Sequence, residues 1–445
     1  MRVACILLLL PGFTSAADAA RPNFVIILAD DLGYGDIGCY GNEVNQTPHL
    51  DRLAREGLRF VDFHANAANC SPTRAALLTG RYQQRMRIES PLGEGAAGLP
   101  KGEITIAERL RRAGYATALM GKWHLGYHPD NGPAHHGFDE FVGHLHGATD
   151  YASHVDRYGR MDWWHNDQPV DETGYNTTLI TEHSIRFINE HRGEPFFLLV
   201  SHSAIHFPWM TSEDEAHREA GSRYEDRLGK LGPHADGPLQ PVVRRMIEEL
   251  DRSVGRIVQT LRELQLAEQT LVFFTSDNGG IARMAGVPVT EENRISSNAP
   301  LRGQKHGLYE GGHRVPTIAW WPGRIAAAGE SSAVGMTMDL HPTLLELASL
   351  DLPEGERRDA LDGISLRLHL LSGQPLPERM LFWRQGDSKA ARWRAWKLVS
   401  LHGSPFELHD LAHDLPERKN LASEDTEIAQ KLCDALRAWE LQFED

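Results

Sequence analysis

The chain has 445 residues, a formal net charge of −15, and ordinary apolar (41%) and charged (24%) fractions. That length supports one large domain with a smaller unit appended, not a minimal domain. The acidic balance argues against a nucleic-acid ligand, while leaving room for a local cluster of cations that governs a pocket for a small anion.

In chain order, the first predicted element is a targeting segment. Arg2 precedes an apolar run, Val3 to Leu10, then Pro11, Gly12 and small residues that include Ala17-Asp18-Ala19. A positive start, an apolar stretch and a small-residue cleavage zone make residues 1–20 an expected signal peptide and the protein an exported one, periplasmic or extracellular, or lysosomal in a eukaryote. The run is too short to span a bilayer, and no later segment is long and apolar enough, so no stable membrane anchor is expected. With Cys5 in that segment, only Cys39, Cys70 and Cys433 remain, which excludes a disulfide framework.

Phe24 to Ala29 is a continuous apolar run of buried-strand length. Thr47-Pro48 opens a helix that Gly57 ends, and Leu58 to Phe63 reads as a strand. Thr105-Ile-Ala-Glu108 has capping-box spacing, with Gly114 closing that helix. Phe196 to Val200 and Leu271 to Thr275 are further strands. Between them a helix over Pro241 to Leu264 keeps Val243, Met246, Ile247, Leu250, Val254, Ile257, Val258 and Leu261 on one face. Arg218 to Gln240, rich in Gly, Pro and charge, reads as a loop. The alternation predicts an α/β fold: a large, mostly parallel sheet sandwiched by helices.

Chemistry-bearing residues follow these strands. Asp30-Asp31 comes directly after the first, and Asp277-Asn278 follows Leu271 to Thr275 in the same way. Ligands of open α/β sheets gather at the carboxyl ends of strands. Either pair alone is an ordinary turn sequence; together they form an oxygen-donor set suited to calcium or magnesium and poor for zinc. Cys70-Ser71-Pro72-Thr73-Arg74 places Cys70 at a helix start, with Ser71 as the expected cap, Pro72 at the first position and Arg74 one turn further. Lys122 and His124, two apart on an expected extended segment, point to one side.

Taken together, these residues resemble the type I sulfatases of the alkaline phosphatase superfamily. Cys70-Ser-Pro-Thr-Arg-Ala-Ala-Leu-Leu-Thr-Gly80 is similar to the first family signature, and Gly114 to Gly126 to the second. Ser276-Asp-Asn-Gly-Gly280 and the paired aspartates resemble the metal site. Leu301-Arg-Gly-Gln-Lys305 with Tyr309-Glu-Gly-Gly312 resembles the substrate-lysine segment. The resemblance runs in order from about Asn23 to Leu421. It implies a sulfatase catalytic domain over residues 21–374 and a small C-terminal antiparallel sheet plus helix over residues 375–445. Arg392 to Leu398 and Phe406 to Leu411 resemble strands of that smaller unit.

The same resemblance assigns roles. Asp30, Asp31, Asp277 and Asn278 would hold calcium, with magnesium as the lesser alternative, and residue 70 would complete the shell. A dedicated maturation enzyme would oxidise Cys70 to formylglycine. Arg74 would steady the aldehyde hydrate, Lys122 and Lys305 would bind sulfate, His124 would serve residue 70, and His206 would face the leaving group. The implied reaction is attack of a hydrate hydroxyl on sulfur, protonation of the departing alcohol, and expulsion of sulfate when His124 takes the second hydroxyl proton.

His136 to Phe141, Gly147 to His154 and Asn298 to Lys305 resemble the arylsulfatase B type, the N-acetylgalactosamine 4-sulfatases. A sulfated glycan is therefore the expected substrate, with His146 and Asp150 as further substrate-binding candidates beside His144. Trp163, Trp164 and Trp209 are candidates for stacking on sugar rings. Near Gly147 the sequence departs from the arylsulfatase A pattern, which has a sulfate-contacting serine in that region. Two other readings stay open: a phosphonate or phosphate ester hydrolase of the same superfamily, and a non-catalytic sulfoglycan-binding protein.

Overall fold

The computed structural model describes residues 21–444 apart from residues 285, 286, 288, 289 and 353–359. The expected signal peptide lies outside the described residues. Twelve strands belong to the first part of the chain: β1 (Asn23–Ala29), β2 (Leu58–Phe60), β3 (Phe63–His64), β4 (Ala116–Lys122), β5 (Glu140–His144), β6 (Trp164–His165), β7 (Gln168–Pro169), β8 (Phe196–Ser201), β9 (Thr270–Ser276), β10 (Thr317–Trp320), β11 (Gly329–Ser331) and β12 (Gly335–Met336). Ten of them form one sheet in the order β11-β2-β10-β9-β1-β8-β4-β5-β6-β7, and β3 pairs with β12. The central run β9-β1-β8-β4-β5 is parallel throughout, so the carboxyl ends of these strands lie at one edge. β10 enters antiparallel.

The sequence of β1 shows why the sheet is covered twice. Val25, Ile27 and Ala29 belong to one apolar layer and Phe24, Ile26 and Leu28 to the other, as expected for a central parallel strand. The first layer contains α1 (Pro48–Glu56), α4 (Asn176–Glu190) and α6 (Leu239–Glu263). The second contains α2 (Cys70–Thr79), α3 (Ile106–Arg112) and α8 (Leu340–Leu347). All eight residues predicted for the inner face of α6 are buried. The short helices α5 (Arg227–Leu231), α7 (Glu310–His313) and α9 (Arg367–Ser372) lie in the connections.

Three local expectations need correction. The expected strand from Leu58 to Phe63 is two pieces, β2 and β3. The expected loop from Arg218 to Gln240 contains α5, whose cap Asp226 accepts from the Gly229 N–H at 2.7 Å, and the first residues of α6. Thr47 precedes α1 without capping it; its hydroxyl accepts from Gly38 N–H and donates to Asp51. Thr105 does cap α3, accepting from Glu108 N–H at 3.1 Å.

A second sheet follows, β13 (Met380–Gln385), β14 (Ser388–Trp393), β15 (Trp396–Ser400) and β16 (Glu407–Asp410), antiparallel in that order, with α10 (Thr426–Glu440) packed on it. It is tied to the large sheet by buried charge pairs: Lys397 with Glu310 at 2.8 Å, and Arg392 with Asp62 at 2.6 Å. No helix among the described residues is long and apolar enough to cross a membrane.

Candidate active site

Four parallel strands deliver polar residues to one edge of the sheet. Asp30-Asp31 follow β1 directly, Lys122 ends β4, Ser201 ends β8 and Asp277-Asn278 follow β9. From the facing side, α2 brings Cys70 and Arg74. The helix starts at Cys70 itself, with Asn69 at the cap position and no side-chain capping bond. The expected cap, Ser71, lies inside the helix, and its hydroxyl accepts from Leu92 N–H at 3.0 Å. The N-terminal backbone amides at Cys70 still favour negative charge there.

The charges interlock. Arg74 grips Asp277 Oδ2 through Nε at 3.0 Å and Nη2 at 2.8 Å, and Nη1 donates to Lys122 O and Ser201 Oγ. Lys122 pairs with Asp30 Oδ2, and Lys305 with Asp31 Oδ1 at 2.5 Å. All six groups are buried. Three carboxylates and three cations cancel, an arrangement too costly in desolvation to be retained for stability alone.

Some oxygens are left over. Asp30 Oδ1, Asp31 Oδ2 and Asn278 Oδ1 are buried without a hydrogen-bond partner, although the Asn278 amide donates to Asp31 Oδ1 at 2.8 Å. Orphaned buried acceptors are rare and mark a missing partner. Asp30, Asp31 and His206 also bring ligand atoms within 4.8 Å of one another. This donor set can hold a metal ion. A divalent cation would leave the cluster with two surplus positive charges, suited to an anionic ester and an anionic nucleophile.

Two histidines flank residue 70. His124 does not continue the extended strand as expected: it adopts φ 54°, which turns it back to the site. Its Nε2–H donates to Leu92 O at 3.1 Å, leaving the Nδ1 lone pair facing Cys70 Sγ at 3.2 Å. Gly147 makes room for that ring, because a Cβ there would lie 2.5 Å from His124 Cε1. His206 donates from Nδ1 to Phe207 O at 2.7 Å and sets Nε2 3.8 Å from Asp31 Oδ2. Burial, then Lys122, hold both imidazoles well below their usual range. Burial pushes the Cys70 thiol up despite the two lysines, so an unmodified thiol here is a poor nucleophile.

Cys70, His124, His206 and Lys305 lie at the base of a cavity of about 420 Å³, with His146 further along its wall. Buried beside them, His144 donates from Nδ1 to His146 O at 2.9 Å. Other expected residues fall elsewhere. Asp150 is fully buried outside this lining, and its carboxylate accepts from the backbone N–H groups of Ala152, Ser153, His217 and Arg218; it ties two loops together. Trp163 and Trp209 are packed in the core, and Trp164 donates its indole N–H to Asp162. None of the three lines the cavity. Sequence reasoning missed Ser201, Tyr127, Arg157 and Tyr158, of which the last three line it.

The sulfatase family model matches residues 22–350. The chain belongs to the sulfatase family. Relatives of this sulfatase include the N-acetylgalactosamine-6-sulfatase of Sus scrofa, 37% identical over 83% of this chain and 70% of that one. Arylsulfatase A of Bos taurus is 32% identical over 96% of this chain and 88% of that protein. Among solved structures, Ps i-CgsB in complex with k-i-k-neocarrahexaose superposes with a TM-score of 0.80 at 27% identity, covering 94% of this chain and 92% of that chain. The sulfatase is thus a sulfuric ester hydrolase with the expected architecture of a large, mostly parallel sheet and a small antiparallel one.

Proposed function

We propose that this sulfatase removes sulfate from a glycan bearing sulfated N-acetylgalactosamine or a related sugar, using calcium and a formylglycine made from Cys70 by a maturation enzyme. The observation that carries this reading is the convergence of three unpartnered oxygens, three cations and Cys70 at the base of one cavity. The sugar is supported from two sides: the motif likeness to 4-sulfatases and the matched 6-sulfatases share N-acetylgalactosamine. Export through residues 1–20 and the division at about residue 375 belong to the same proposal.

Asp30, Asp31, Asp277 and Asn278 would hold the ion, an all-oxygen set that fits calcium's flexible coordination. Calcium supplies positive charge for the sulfuryl oxygens, and the aldehyde hydrate supplies an oxygen nucleophile with a second hydroxyl. Lys122 and Lys305 bind the remaining sulfuryl oxygens and neutralise charge as the ester bond breaks. Arg74 holds Asp277 in place and opposes the burial that pushes its carboxyl up. His206 Nε2, its Nδ1 occupied by Phe207 O, carries a proton to the departing alcohol; burial and then the lysine charges keep the ring neutral, and the arriving sulfate anion offsets the lysine part. His124 Nδ1 accepts a proton at position 70, because its Nε2–H is fixed on Leu92 O.

Release of sulfate from 4- and 6-sulfated N-acetylgalactosamine by the aldehyde-bearing protein tests the reading. Turnover of at least one, abolished by chelation and restored by calcium, is expected. Retention of full activity by a protein whose residue 70 is entirely thiol would overturn it.

A further inference from the structure

The cavity has a continuous ring-lined wall leading outward from residue 70. The His124 and Tyr127 ring centroids are 6.1 Å apart, those of Tyr127 and His146 4.2 Å, and those of His146 and Tyr158 6.4 Å. The wall ends at Arg157. Its guanidinium stands 4.8 Å from the Tyr158 centroid and donates to the Tyr158 hydroxyl at 2.6 Å. Two more guanidiniums, of Arg160 and Arg223, approach the same ring at 5.0 and 5.5 Å.

The three arginines differ in their partners. Arg160 is neutralised by Asp156 at 3.1 Å and Glu94 at 2.9 Å, and Arg223 by Glu225 at 3.4 Å. Among the described residues Asp156 is the one carboxylate lining the cavity, and it is already held by Arg160 and by His146 Nδ1 at 2.5 Å. Arg157 is exposed, lines the cavity, and makes no direct ion pair among the described residues; Glu225, paired with Arg223, acts on it only at longer range. It uses one of its five N–H donors on Tyr158. On a chain of net charge −15, an unpaired guanidinium at the end of an aromatic wall is a selective feature.

We propose that Arg157 anchors an anion subsite at the cavity mouth. It takes a second negative group of the glycan, a uronate carboxylate or a further sulfate, while the scissile sulfate lies at residue 70. This deepens the sulfated-glycan reading and rests on it. Both groups present a pair of anionic oxygens that a guanidinium binds through paired N–H donors. The rings of Tyr127 and Tyr158 offer a sugar the apolar surface between the two anions.

The test uses the full aldehyde-bearing chain and three substrates: a singly sulfated N-acetylgalactosamine, a disaccharide adding a uronate, and a disaccharide adding a second sulfate without carboxylate. Arg157→Gln should lose about 10- to 100-fold more kcat/KM on a two-anion substrate than on the single-anion one, mostly in KM. Arg157→Lys should recover part of that loss. Whichever two-anion substrate suffers more identifies the source of the second charge. Equal losses on all three substrates, or none, would overturn the subsite and leave the sulfatase reading standing. A wild-type protein that releases sulfate from none of the three would overturn the glycan reading itself, and the subsite with it.

Discussion

His124 offers its Nδ1 lone pair to the Cys70 sulfur at 3.2 Å, with its opposite nitrogen committed to Leu92 O. His206, also buried, presents Nε2 on the Asp31 side of the same recess. The two imidazoles therefore serve different atoms, and their loss should be distinguishable.

His206→Ala removes the proton donor for the leaving group. The loss should be about 10²- to 10⁴-fold on a sugar sulfate, whose alkoxide leaves poorly, and far smaller on nitrophenyl sulfate. His124→Ala should slow both substrates alike and produce a burst of nitrophenol, because the step after ester cleavage becomes limiting. Steady-state and stopped-flow rates on the two substrates check this; equal losses for His206→Ala, together with a burst, would reverse the assignment.

Gly147→Ser should act through His124, since its Cβ would meet Cε1 at 2.5 Å. The expected phenotype is that of His124→Ala: kcat falls on both substrates with little change in KM. A change confined to KM would mean that Gly147 serves the sugar instead.

Asp277→Ala should abolish turnover and lower stability, because it strands the buried Arg74 guanidinium. Breaking such a pair costs about 3–5 kcal/mol. In addition, calcium should raise the Tm of the wild type and leave the variant's Tm unmoved. Thermal melts with and without calcium after chelation provide the measurement.

Acid should destabilise the fold through two buried histidines that do not line the cavity. Burial depresses His202 to about 3 and His341 to about 3. Both folded values lie below the unfolded value of about 6.5. The unfolded chain therefore binds protons first, and stability falls as pH drops below about 6.5, continuing to about 3. Denaturant titrations at pH 7 and 4.5 should show this loss, reduced in His341→Gln.

The fold was legible wherever hydrophobic periodicity is strong. Phe24 to Ala29 and the Val243 to Leu261 stripe could be read directly because one pattern determines both element and burial. The gathering of Asp30, Asp31, Asp277 and Asn278 at the sheet edge was legible because polar residues directly after buried strands must lie there; Lys305 follows no strand and was legible only through the family resemblance. Asp150 was misplaced for a definite reason: a loop aspartate serves a ligand or its neighbours' N–H groups with equal ease, and only the backbone path shows four such donors. Arg157 and Tyr158 gave no signal, since they lie outside any regular element and their role comes from the contact of Tyr158 with His146 and of Arg157 with Tyr158. Of the tryptophans considered as sugar platforms, Trp163 and Trp209 are core residues and Trp164 is half-buried on Asp162, a difference that residue type alone does not reveal.

The most direct measurement is sulfate release by the aldehyde-bearing, calcium-loaded chain from matched substrates: 4- and 6-sulfated N-acetylgalactosamine, nitrophenyl sulfate and the corresponding aryl phosphonate. The account predicts that sulfate esters are preferred over the phosphonate and that at least one sugar sulfate is hydrolysed. Faster turnover of the phosphonate, with no sulfate released from either sugar, would contradict it.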